Sequence, residues 1–146
     1  MDIDIDNFMG FILKESTSEQ IKNTLSANGI SFKEYPDFFD KEGKTIRFSY
    51  ESGNMVWSCS LDIKDDMLRF ISIHRYSPDS PIIFKLLCKE LSERYGSTHR
   101  VSISQDKYEG TETMSFSKND NDFHFTEIVY DSSPILGQKN IRINYF

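Results

Sequence analysis

The 146-residue sequence has two cysteines, four prolines, seven glycines and one tryptophan, and no long apolar run. Each shortage removes a class of protein. Two cysteines build no disulfide framework. Cys59 and Cys88 fall at apolar positions of a strand pattern and a helix pattern, so both are expected as buried, reduced thiols in a cytoplasmic compartment. The few glycines form no Gly-rich strand-to-helix turn for phosphate and no Gly-x-Ser-x-Gly elbow. No stretch approaches the roughly 18 apolar residues of a transmembrane helix, so no membrane association is expected. The chain opens Met1-Asp2-Ile3-Asp4-Ile5-Asp6, with three acids where a secretory signal carries a basic stretch, and no leader is expected.

Basic charge is scarce as well. Lys and Arg number 17 against 23 Asp and Glu, a net of -6. Without a local basic stripe, a nucleic-acid partner is not expected, and the field favours a basic protein. The same mild acidity also serves solubility alone. Asp2-x-Asp4-x-Asp6 has the spacing of a calcium loop's start, but Asn7 stands where Gly is required and Leu13 where Glu is required. His74, His99 and His124 have no paired spacing. No metal, cofactor or catalytic constellation is therefore expected. With 23 acids, accidental carboxylate pairs are too common for any one to mark an enzyme.

The remaining pattern is architectural. Ile5, Phe8, Met9 and Ile12 recur at helical spacing, predicting a short N-terminal helix over 3–14. Ser16 and Glu19 stand at capping-box distance before a second helix that carries Ile21 and Leu25 and ends at Gly29. Period-two alternation then predicts strands at 30–34, at Ile46/Phe48/Tyr50, at Met55/Trp57/Cys59/Leu61/Ile63 and at 68–75, joined by turns at 51–54 and 64–66. Ser80 as N-cap and Pro81 as first residue open a third helix, with Ile83, Leu86, Leu87, Leu91 and Tyr95 as its stripe and Gly96 as its stop. Four more strands are centred on Val101/Ile103, Met114/Phe116, Phe123/Phe125/Val129 and Ile141/Ile143/Tyr145.

The halves resemble each other. Gly29 and Gly96 are 67 residues apart, as are Gly43 and Gly110. Phe48-Ser49 answers Phe116-Ser117, and Met55-Val56-Trp57 answers Phe123-His124-Phe125, after one inserted residue. The expected fold is α+β in a single domain, 1–146, with internal repeats at 16–76 and 80–146. Tandem helix-plus-four-strand units would form an antiparallel sheet of about eight strands with helices on one face. The other face would carry Thr45, Arg47, Ser49, Ser58, Ser60, Thr126, Arg142 and Asn144, an open polar surface.

One segment combines acids and aromatics: Glu34-Tyr35-Pro36-Asp37-Phe38-Phe39-Asp40-Lys41-Glu42-Gly43. Aromatic side chains supply anchoring area at interfaces, and acids around them select a basic partner. Tyr35, Asp37, Phe38, Phe39, Asp40 and Glu42 are the candidate partner-binding residues. The competing reading is a loop or helical turn whose Phe38 and Phe39 cap the core. Trp57, on the Met55/Cys59/Leu61 face, reads as core.

The tandem helix-plus-four-strand plan resembles, in topology, the beta-lactamase inhibitory protein family. The small, acidic, α+β profile resembles the immunity proteins of bacterial toxin systems, including those of contact-dependent growth inhibition. The first resemblance implies a protein inhibitor, although that family is secreted; the second implies a cytosolic immunity protein, and the expected function is a non-enzymatic inhibitor that neutralises a basic toxin domain such as a nuclease. Neither carries over a functional residue. The alternatives are a secretion or assembly chaperone, a class that is usually dimeric, and a small-ligand-binding domain. Oligomeric state is open at this level.

Overall fold

The computed structural model describes residues 3–118, 125–132 and 139–146. The fold is α+β: two helices and eight antiparallel strands in one sheet, hydrogen-bonded in the order β1-β2-β3-β4-β8-β7-β6-β5. The elements are α1 (Ser18–Ala27), β1 (Phe32–Pro36), β2 (Gly43–Ser52), β3 (Met55–Lys64), β4 (Met67–Tyr76), α2 (Ser80–Tyr95), β5 (Arg100–Asp106), β6 (Thr111–Ser117), β7 (Phe125–Asp131) and β8 (Asn140–Tyr145). Two compact units divide the chain: Met1–Ile73 with Phe146, and His74–Tyr145. Phe123 and His124, part of the expected repeat, lie outside the described residues.

In the first unit, α1 begins one residue later than the capping-box reading places it. Thr17, not Ser16, is the N-cap; its side chain accepts from the Gln20 N–H, and Gln20 rather than Glu19 returns the bond to the cap N–H. Thr and Gln satisfy the same two orphan donors as Ser and Glu. At the far end Gly29 adopts φ +69°. The Ile30 N–H reaches the Leu25 carbonyl and the Gly29 N–H the Ser26 carbonyl, a Schellman closure.

The β2–β3 hairpin pairs Ser52 with Met55 and continues in register to Gly43 opposite Lys64. Ile46, Phe48, Trp57, Cys59, Leu61 and Ile63 all point to one buried face. Glu34, in line with Ile46, reaches Lys22 of α1 from that face, so α1 covers it. Ile21 and Leu25 are fully buried there. Tyr35, Thr45, Arg47, Ser49, Ser58 and Ser60 take the opposite, polar face.

Residues 3–14 are not helical. Their spacing is met by a turn-rich strap instead. Ile3, Ile5, Phe8 and Phe11 are buried while Ile12 stays 54% exposed. The Phe8 ring stacks on Phe48 at 6.4 Å and meets Tyr50 edge-on at 5.3 Å. Asp4 and Asn7 accept the N–H groups of Asp6 and Gly10, bonds that compete with a helical backbone. Met9, Gly10 and Lys14 have positive φ.

In the second unit, α2 starts at Ser80, with Asp79 at the N-cap position and no side-chain cap bond. Ser80 Oγ instead donates to the Ser77 carbonyl at 2.7 Å. Ile83, Phe84, Leu87 and Leu91 form the buried stripe; the expected Leu86 is 61% exposed. The stripe therefore lies about one residue around from the sequence reading, and Phe84 packs against Tyr130 at 5.8 Å. Thr126 is not on the open polar face. It pairs with Phe116 and Tyr145, so it shares the helix-covered face and is buried. Asn144 does take the opposite face, but buried, donating to Glu127 at 2.9 Å. The open polar face is thus a feature of the first unit.

Gly110 closes the β5–β6 hairpin at φ +67°, where an added Cβ would sit 2.8 Å from Ser132 Oγ. Gly110→Ala is expected to cost about 1–2 kcal/mol from the left-handed backbone alone, read as a lower urea midpoint with unchanged slope. An unchanged midpoint would show that the hairpin rebuilds freely around this position.

Candidate functional site

The β1–β2 connection, 37–42, carries five of the six expected partner-binding residues, and Tyr35 lies just before it on β1. Pro36 pairs with Lys44 across the hairpin, and the Asp37 N–H donates to the Gly43 carbonyl at 3.0 Å. Two aspartates brace the intervening backbone. Asp37 Oδ1 accepts the Phe39 N–H at 2.9 Å, and Asp40 Oδ1 accepts the Glu42 N–H at 3.0 Å. Gly43 is needed for closeness: a Cβ there would meet the Asp37 Cβ at 3.1 Å.

This bracing leaves Phe38 and Phe39 without cover. They are 96% and 101% exposed, so neither caps the core. Tyr35 is 41% exposed on the polar face, with the Arg47 guanidinium 5.0 Å from its ring centre.

The acids divide by environment. Lys22 and Lys44 hold Glu34 at 2.8 and 3.2 Å, with the Lys22 hydrogen bond the largest cause of its lowered pKa. Lys64 pairs with Asp40 at 3.2 Å. The Glu42 N–H, then Lys64, draw the Asp40 carboxyl below its usual range. Glu42 behaves oppositely, its pKa raised chiefly by a hydrogen bond shared with Asp65 and then by the charges of Asp65 and Asp40. Among the described residues, no ion pair reaches Asp37 or Glu42; Asp37 carries its charge without a cation, and Glu42 shares its own with Asp65.

The sequence pattern at Asp65 and Asp66 predicts only a turn. They form one, both at positive φ, but the turn also stands beside the loop. The register contains the signal: a tight turn at Gly53-Asn54 forces Gly43 opposite Lys64. An open cleft of about 430 Å³ lies here, lined by Glu34, Tyr35, Pro36, Lys41, Glu42, Gly43, Lys44 and Asp66. Its mostly charged, open walls suit a side chain of a partner better than an enclosed apolar ligand.

The sign of the Glu42 effect makes a testable case. A carboxyl whose pKa rises on folding favours the folded state when protonated, and that contribution is lost as pH climbs through the raised value. Glu42→Gln is therefore expected to raise the melting temperature slightly at pH 7 and to change nothing well below its ordinary value of 4.5. A loss of stability at pH 7 would contradict the proximity of Glu42 to Asp65.

Both cysteine thiols have raised pKa values. Burial pushes the Cys59 thiol up to about 12; burial and then Glu112 push Cys88 to about 11. Both are free thiols; Cys59 is buried as expected, whereas Cys88 is only half-buried, because it lies beside rather than on the buried stripe of α2. Among the described residues, no group of three His, Cys, Asp or Glu side chains converges as metal ligands, and no helix is long and apolar enough to cross a membrane. Compared with known protein families, curated proteins and solved structures, the chain matches none.

Proposed function

We propose that this chain is a non-enzymatic inhibitor of the immunity type, cytosolic, which binds and neutralises a basic toxin domain through the 35–42 segment. The observation that carries the reading is the pair of adjacent, fully exposed phenylalanines on a backbone braced by Asp37, Asp40 and Gly43. Contiguous exposed apolar side chains mark interaction sites, and a pre-braced loop loses little conformational entropy on binding. Phe38 and Phe39 would enter a pocket on the partner. Asp37 and Glu42 would meet its cations and, where the toxin is a nuclease, stand in for substrate phosphates. Inhibition would follow from occlusion of the toxin's active site or substrate surface.

Affinity capture tests this. The tagged chain is used as bait in lysate of its source organism, beside an Asp37→Asn/Glu42→Gln variant, which keeps the Oδ1 acceptor for the Phe39 N–H and is checked for a melting temperature no lower than the parent's. The expected result is one stoichiometric basic protein on the parent bait and its loss from the variant. Equal capture by both, or no stoichiometric partner, would sink the assignment.

A further inference from the structure

The strand order leaves β1 and β5 as the two edges of the sheet. An edge strand presents unpaired N–H and C=O groups, and proteins that stay apart blunt it with proline, lysine or short length. β1 is blunted in all three ways. It has five residues, contains Lys33, ends at Pro36, and its Glu34 is held by Lys22 and Lys44. β5 has none of these devices. Its seven residues, Arg100-Val101-Ser102-Ile103-Ser104-Gln105-Asp106, include no proline, lysine or glycine, and no charge between the two ends. All but Val101 are exposed. Ile103 is 71% exposed although it lines up with Met114, which is buried.

The sequence of β5 is self-complementary. We propose that a second copy of this chain adds to β5, antiparallel, about a two-fold axis through Ile103, continuing the sheet from one protomer into its partner. In this register Ile103 faces Ile103 of the partner subunit, Ser102 faces the partner's Ser104, and Val101 faces the partner's Gln105. Arg100 faces the partner's Asp106 at both ends, so unlike charges meet. The interface is isologous, as closed dimers require. Other registers are worse. A one-residue slip turns Ile103 to the opposite face of the sheet. A two-residue slip toward Val101 pairs five residues rather than seven and separates the end charges. The surface lies wholly in the second unit and does not depend on the 35–42 loop, so it stands apart from the inhibitor reading.

Two measurements test it. Sedimentation velocity is run on the parent chain and on Ile103→Lys up to about 1 mM, the range in which a small interface associates. A monomer–dimer equilibrium is expected in the parent, weakened at least about tenfold by two lysines facing each other. A strict monomer throughout, or dimerisation unaffected by Ile103→Lys, would overturn the proposal. The second measurement fixes the register in a Cys88→Ser background. Mild oxidation is expected to cross-link I103C with itself. S102C is expected to cross-link with S104C when the two are mixed, and neither with itself. Cross-linking of S102C alone, or none with I103C, would overturn the register. Circular dichroism of each variant confirms folding.

Discussion

Replacing Phe38 and Phe39 together with serine is expected to weaken partner binding at least about a hundredfold and to leave the melting temperature unchanged. The two halves of this expectation come from one fact. The rings are 96% and 101% exposed, so they bury nothing in the free protein and their loss removes no packing. Their value arises on binding. An aromatic anchor in a desolvated pocket contributes on the order of 2 kcal/mol, and about 2.7 kcal/mol across the pair already gives a hundredfold. The backbone braces, at Asp37 and Asp40, are untouched by the change. Calorimetric titration against the captured partner provides the affinity, and a thermal melt provides the control. Unchanged affinity would remove both rings from the interface; a lowered melting temperature would show that they pack in solution.

Trp57→Ala is expected to cost about 3–5 kcal/mol, the range for truncating a buried large aromatic. Trp57 is 1% exposed and sits opposite Tyr50 in the β2–β3 ladder, on the face that α1 covers. Marginal stability for a domain is about 5–15 kcal/mol, so this one change removes a large share and leaves a population partly unfolded. Val56, its neighbour in sequence, makes the contrast. It points to the other face and is 55% exposed, and Val56→Ala is expected to fall within about 0.5 kcal/mol of the parent. Urea unfolding followed by circular dichroism compares the two. Similar costs would contradict the assignment of faces in β3.

The strands were readable because alternation is a short-range signal that needs no knowledge of the partner strand. Met55 to Ile63 shows it in full, and the turn residues Gly53-Asn54 fix where the chain reverses. Helix spacing was less reliable. Ile5, Phe8, Met9 and Ile12 have the right period, yet Asp4 and Asn7 take up backbone N–H groups and the segment folds as a strap over Phe48 and Tyr50. Four apolar residues define a surface to bury, and a helix is one of several ways to bury it. Leu86 and Thr126 failed for a related reason. In α2 the stripe is wide enough to rotate by a residue, and in β7 a threonine satisfies a half-polar face or a core position equally well. At the site, composition alone marked 34–43. The fates of its acids were not legible, because the cations that neutralise Glu34 and Asp40 come from Lys22, Lys44 and Lys64, each ten or more residues from the acid it holds.

The claim that matters most is that the 35–42 segment is where a partner docks. Hydrogen exchange of backbone amides, measured on the free chain and on its complex with the captured basic protein, tests it directly. Protection is expected to rise in 35–43 and in the neighbouring 64–67 turn, which Lys64 and Asp65 tie to the loop. Protection that falls instead on the polar face, over Thr45, Arg47, Ser49 and Ser58, with 35–43 unaffected, would contradict the claim and move the interface onto the sheet.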